Sequence, residues 1–222
     1  MDILKDFIDE QIYVEISGSV IHKGILVAIG TDIVILYNGR DFLYIPIIHI
    51  QKINIKEDDS ADVSPFDGNR DEHLNESLSF RKILNNARGV FSEIHIANNQ
   101  TIHGYIISVM NNYVVFYSPI YKTVYISLQH LKWLIPYNHQ ETPYALSKER
   151  LPVNPFGLPL ARTFEEQLKK LMNQIVILDL GQDHNKIGQL MLIENSLVKL
   201  ITARQSPSFV NLRHIKTIHI PG

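Results

Sequence analysis

The stretch His22-Lys23-Gly24-Ile25-Leu26-Val27-Ala28-Ile29-Gly30-Thr31-Asp32-Ile33-Val34-Ile35-Leu36-Tyr37 holds two apolar runs, rich in β-branched residues, around a short polar break. Runs of this length and composition flanked by turn residues read as strands joined by a tight turn. Gly24 lies just inside the first run, where glycine marks a bulge or a sharp bend rather than an ordinary ladder position. The same arrangement recurs as Ile102-His103-Gly104 followed by the run to Tyr117, and as Lys186-Ile187-Gly188 followed by its own pair of runs.

Outward from each glycine the likeness continues. Upstream stand Ile12-Tyr13-Val14-Glu15-Ile16, a run beginning near Val90, and Ile175-Val176-Ile177-Leu178. Downstream, the corners Ile48-His49-Ile50-Gln51-Lys52-Ile53, Gln129-His130-Leu131-Lys132-Trp133-Leu134 and Arg213-His214-Ile215-Lys216-Thr217-Ile218 close each copy. From glycine to corner histidine the spacing is 25, 26 and 26 residues, so one unit is written three times at a period of about 80 residues. Turn signals fall in register. Gly30-Thr31-Asp32, Asn111-Asn112 and Glu194-Asn195-Ser196 follow each second strand; Asn38-Gly39-Arg40-Asp41, Ser118-Pro119-Ile120 and Arg204-Gln205-Ser206-Pro207-Ser208 follow each third.

A short amphipathic helix is predicted ahead of each sheet: Ile3-Leu4-Lys5-Asp6-Phe7-Ile8, a segment over 74–84, and Thr163-Phe164-Glu165-Glu166-Gln167-Leu168-Lys169-Lys170-Leu171-Met172. In the last, Thr163 and Glu166 form a capping box, and Phe164, Leu168, Leu171 and Met172 share one face. The predicted organisation is therefore repeat 1 over 1–56, an acidic linker over 57–72, repeat 2 over 73–136, a proline-rich linker over 137–160 and repeat 3 over 161–222. Residues 56–72 hold seven acids and two bases, the composition of a solvated spacer, and residues 136–160 hold five prolines, which stiffen an extended connection.

Composition narrows the class. With 45% hydrophobic and 20% charged residues, the chain has apolar surface enough for packed cores. A net charge of −2 provides no global positive field for nucleic acid or an anionic membrane. The absence of cysteine removes disulfides, thiol nucleophiles and thiolate metal sites. Acids near the start stand where a signal peptide needs a basic region, and no long uncharged apolar run follows, so cytoplasmic synthesis without membrane insertion is expected.

A short helix followed by five strongly bent strands, with glycine in the second and an apolar corner between the fourth and fifth, resembles the Sm-like fold. The corner motif, repeated three times, resembles the tandem repeats of the spore coat protein B family of endospore-forming bacteria. That likeness implies a mainly β fold of three small Sm-like five-stranded sheets or barrels, each preceded by a helix. It also implies a non-catalytic structural role in spore coat or spore surface assembly, through self-association or contact with other coat proteins. Two departures stand out: the turns Ser17-Gly18-Ser19, Asn98-Asn99-Gln100 and Gly181-Gln182-Asp183 are not the family's glycine-rich turn, and its serine- and lysine-rich tail has no counterpart.

The alternative, an Sm-like RNA-binding or regulatory module, lacks the usual supplier of base contacts. The asparagine position of the Asp…Asn pair falls at Val34, Val114 and Val198, and the Arg-Gly region reads Ile45-Pro46, Ile126-Ser127 and Val210-Asn211. Among the histidines, His49, His130 and His214 hold equivalent corners. A metal site built from the three is conceivable, but a ring that packs at a strand corner and hydrogen-bonds backbone is the expected role. His22 and His103 are expected to be surface side chains, since Lys186-Ile187 replaces the pattern in the third copy. Asp58, Asp59 and Asp62 lack the spacing of a calcium loop. No nucleophile elbow, phosphate-binding turn or His-Glu-x-x-His occurs, so neither an enzyme nor a cofactor site is expected. Trp133, Phe116, Tyr117 and Tyr121 are contact candidates whose default place is the core.

Overall fold

The computed structural model describes residues 2–55, 63, 78–97, 99–138, 141, 143–146 and 159–221. The acidic linker except Val63, most of the proline-rich linker, the 74–77 part of the second predicted helix and Asp58, Asp59 and Asp62 lie outside the described residues. The protein is mainly β, with two α-helices and fifteen strands among the described residues. It divides into two compact units: residues 1–87, 92–101 and 132–139, and residues 88–91, 102–131 and 140–222. The middle copy thus contributes strands to both.

In the first unit, β1 (Gln11–Ile16), β2 (Val20–Ile29), β3 (Ile33–Tyr37), β4 (Phe42–Pro46) and β5 (Ile50–Ile55) form the first copy. They lie in the order β5-β1-β2-β3-β4, every pair antiparallel. Helix α1 (Phe80–Asn86) and most of β6 (Phe91–Ile96) belong to this unit, as does β10 (Leu131–Pro136) except its first residue. Alternation along the strands sends Ile12, Val14, Ile16, Leu26, Val34, Leu36, Leu43 and Ile45 into one core, which also takes Trp133.

The second unit contains most of β7 (Gln100–Val109), with β8 (Tyr113–Ser118), β9 (Lys122–Ser127), α2 (Phe164–Lys169), β11 (Ile175–Leu178), β12 (Ile187–Glu194), β13 (Leu197–Ile201), β14 (Pro207–Asn211) and β15 (Thr217–His219). The third copy runs β15-β11-β12-β13-β14, the order seen in the first. Its core joins Val176, Leu178, Leu190, Val198, Leu200 and Ile218 to Phe164, Leu168 and Leu171 of the α2 segment.

The three marker glycines do one job. A Cβ on Gly24 would collide with the Tyr37 carbonyl, one on Gly104 with that of Tyr117, and one on Gly188 with that of Ile201. Two residues further on, the second strand slips register in each copy, between Leu26 and Ala28, Ile106 and Ser108, and Leu190 and Leu192. A bulge at that point bends the strand strongly, and only a residue without a side chain lets the third strand approach so closely.

The predicted helices fare unequally. Thr163 and Glu166 form the expected capping box on α2, and Ser79 caps α1 by accepting from the Lys82 N–H. Ahead of β1, however, Asp2–Phe7 is a 3-10 helix rather than an α-helix. So short a segment gains too few hydrogen bonds to offset nucleation, and it is held by packing Leu4, Phe7 and Ile8 on the core.

Candidate interaction surfaces

Each unit contains one joint between consecutive copies, and the two joints use the same parts. In the first unit the turn after β2 receives the helix of the next copy: Asp32 Oδ1 accepts from the Phe80 N–H at 2.7 Å, and the Thr31 N–H donates to the Leu78 carbonyl at 2.8 Å. A side chain on Gly30 would strike that carbonyl. In the second unit the turn after β7 does likewise, with Asn112 Oδ1 accepting from the Phe164 N–H at 2.8 Å and the Asn111 N–H donating to the Arg162 carbonyl at 3.1 Å. Asp32 and Asn112 stand equally far beyond their glycines, and each satisfies an N-terminal amide that the helix leaves unpaired.

Strand pairing completes the joint. The fourth strand of one copy pairs with the fifth strand of the next: β4 with β10 through Tyr44 and Leu134, and β9 with β15 through Val124 and His219, Tyr125 and Ile218, and Ile126 and Thr217. At the second joint the Ser127 N–H donates to the Lys216 carbonyl at 2.9 Å. Beside it, His130 Nε2 lies 2.8 Å from the Arg213 carbonyl, as a donor. In the first unit, Lys132 Nζ donates to the Ser17 carbonyl at 3.1 Å and to the Ser17 hydroxyl, and burial lowers its pKa.

The three corner histidines hold equivalent positions in different surroundings. His49, His130 and His214 each end a 3-10 turn between the fourth and fifth strands. His49 is buried in the first unit, His130 is half-buried and His214 exposed in the second. Burial pushes the His130 imidazole below its ordinary pKa, against the raising effect of its bond to the Arg213 carbonyl. Among the described residues no three His, Asp or Glu side chains gather at metal-binding distance.

His22 departs from the expected surface role. Its ring meets Trp133 edge-on at 4.5 Å, while His95 stacks on Trp133 at 4.1 Å. Burial, and then the nearby His95, push the His22 pKa down to about 4. His95 is in turn held by Glu93 and by the Thr101 hydroxyl at 3.0 Å. The reason is a substitution between copies: the fifth strand of the middle copy carries Trp133, whose large ring needs flat neighbours. Trp133, Phe116 and Tyr117 are all core residues, and Tyr121 packs on His219 at 5.6 Å.

A buried ion cluster escaped the sequence reading. Asp179, 2% exposed, opens a left-handed run (φ 49° at Asp179, 55° at Leu180, 75° at Gly181) where the first copy has a short hairpin turn between Ile16 and Val20. Its Oδ1 accepts from the Lys216 N–H at 2.8 Å, and its Oδ2 from Lys186 Nζ at 2.5 Å and Lys216 Nζ at 3.2 Å. Burial pushes the carboxyl up, but the Lys186 hydrogen bond, the Lys216 amide and the two ammonium charges outweigh it and hold the pKa below the ordinary value. Nothing local in Leu178-Asp179-Leu180 signals a partner 37 residues away.

The second unit also has an open concavity of about 640 Å³ lined by His184, Asn185, Ile187, Thr202, Ala203, Arg204 and Ser206. Asp183 Oδ1 lies 3.8 Å from the Nδ1 of His184, one of the lining residues. No helix among the described residues is long and apolar enough to cross a membrane.

Residues 163–218, from the cap of α2 into β15, match the family described as YwrJ third domain. Over 222 residues the chain is 39% identical to an uncharacterized protein, YwrJ, of Bacillus subtilis (strain 168), an alignment spanning 98% of this chain and 99% of that one. Neither description names an activity. With identity at this level over essentially the whole of both chains, the chain belongs to the YwrJ family.

Proposed function

We propose that the protein is a non-catalytic assembly component of the spore coat or spore surface, acting through protein–protein contacts by adding strands edge to edge. One observation carries the reading: consecutive copies are joined twice by the same device, fourth strand against fifth. A chain that builds itself this way presents main-chain groups and alternate side chains for further strand addition, a general mode of protein recognition.

Each copy is read as an Sm-like unit, supported by the order β5-β1-β2-β3-β4, its counterpart in the third copy, and the glycine bend. The non-catalytic part of the reading rests on the sequence, in which no nucleophile elbow, phosphate-binding turn or His-Glu-x-x-His occurs. The spore assignment rests on the repeated corner motif and its likeness to spore coat protein B, and the Bacillus relative is compatible with it.

A fluorescent fusion expressed through sporulation tests the proposal. A ring of fluorescence at the spore periphery is the expected result, and diffuse fluorescence in the mother cell would overturn it. Single-stranded RNA titrated at low salt should give no saturable binding; submicromolar, salt-sensitive binding would favour an RNA-binding role instead.

A further inference from the structure

Among the described residues the two joints leave one edge of each kind uncovered. Five residues before the corner histidine stands an aromatic ring in every copy: Tyr44, Tyr125 and Phe209. Tyr44 is 9% and Tyr125 1% exposed, each under the next copy's fifth strand, whereas Phe209 is 62% exposed. The covering residue lies four past the corner histidine. Leu134 and Ile218 do this and are fully buried, while the first copy's equivalent, Ile53, is only half-buried on a strand whose Gln51, Lys52, Asn54 and Ile55 are exposed. Among the described residues β14 and β5 are outermost, each paired on one side.

We infer that β14 of one copy of this chain pairs antiparallel with β5 of a second copy, Phe209 opposite Ile53 of the partner subunit. This rests on the assembly reading and names its partner. The register follows from the β9 and β15 pair: Val210 faces Lys52 of the partner subunit and Ser208 faces Asn54 of the partner subunit, as Ile126 faces Thr217 and Val124 faces His219. The Asn211 N–H then donates to the carbonyl of Gln51 of the partner subunit, as the Ser127 N–H does to that of Lys216. His214, exposed at its corner, reaches the carbonyl of Ile48 of the partner subunit, as His130 reaches that of Arg213.

Two residues blunt these edges against unspecific pairing, Pro207 at the start of β14 and Lys52 on β5. Neither blocks the register. Pro207 precedes the paired positions, and the Lys52 stem can lie along Val210 with its ammonium in water. Since each copy offers one edge of each kind, two reciprocal junctions satisfy all four edges of a dimer, and the same contact left unclosed propagates head to tail.

The absence of cysteine makes the test direct. Tagged Phe209→Cys and untagged Ile53→Cys chains are mixed and oxidised. Directly opposed antiparallel residues have Cα atoms about 4.5–5.5 Å apart, inside the range a disulfide spans. The expected product is the tagged–untagged heterodimer, and light scattering of the unmodified chain should give a dimer or head-to-tail oligomer that Phe209→Lys returns to monomer. Should Ile53→Cys fail to fold, Val210→Cys with Lys52→Cys samples the same register at exposed or half-buried positions. A monomeric unmodified chain, or disulfides only between identical variants, would overturn the inference. A monomer that still reaches the spore surface would sink this pairing alone and leave the assembly reading standing; an oligomer that stays diffuse would do the reverse.

Discussion

Asp179→Ala removes the carboxylate on which β15 and the turn after β11 are fastened. In the folded chain this side chain is 3% exposed and accepts from Lys216 through both backbone and side chain, and from Lys186. Truncation leaves the Lys216 ammonium, 10% exposed, without its counter-charge and strips the amides of Lys216 and Thr217 of their acceptor. Breaking a buried pair by deleting one partner costs about 3–5 kcal/mol, a large share of the roughly 5–15 kcal/mol that holds a typical protein folded. At roughly 2–4 °C per kcal/mol for a chain of this size, the melting temperature should fall by of order 10 °C. Calorimetry supplies the temperature, and hydrogen exchange localises the loss to the peptides covering 175–219. Asp179→Asn keeps an acceptor for the Lys216 amide and should cost less than the alanine change. Lys186, 24% exposed, should cost no more than about 1 kcal/mol when replaced by Met. The pH dependence has a definite sign. A carboxyl held below its ordinary pKa contributes fully above the unfolded value of about 3.9 and loses its contribution as the pH falls through the lower folded value. An Asp179→Ala protein within about 1 kcal/mol of the parent would refute the view that this cluster anchors β15.

Gly188→Ala sets a Cβ against the Ile201 carbonyl and should destabilise by about 1–3 kcal/mol, the range for overpacking; a denaturant midpoint equal to the parent's would show that the third strand can retreat. His22, with its pKa pushed down to about 4, should remain neutral in the folded chain while the unfolded chain takes up its proton near 6.5. Stability from this site is therefore complete above 6.5 and declines as the pH drops toward 4, which urea titrations of the parent and His22→Gln across that window should separate. Equal slopes in the two proteins would count against burial of the imidazole on Trp133.

Much of the fold is legible without coordinates because its signals are local. Alternation places Ile12, Val14 and Ile16 on one face, and the capping box at Thr163 and Glu166 starts α2 where the pattern says. The candidate site is less so. Asp32 and Asn112 read as ordinary turn residues, yet each caps a helix about 50 residues further on, which only their equal distance from Gly24 and Gly104 hinted at. His22 read as exposed because its burial depends on Trp133, more than 100 residues away in sequence.

Triplication, strand positions and the bend at each glycine follow from the amino-acid sequence alone, since they arise from side-chain period and from backbone space around single residues. Which edges are covered, and which carboxylate answers which lysine, was decided by tertiary structure. Tyr125 and Phe209 occupy equivalent places in the repeat, and one is buried and the other open because burial belongs to the neighbouring strand rather than to the residue.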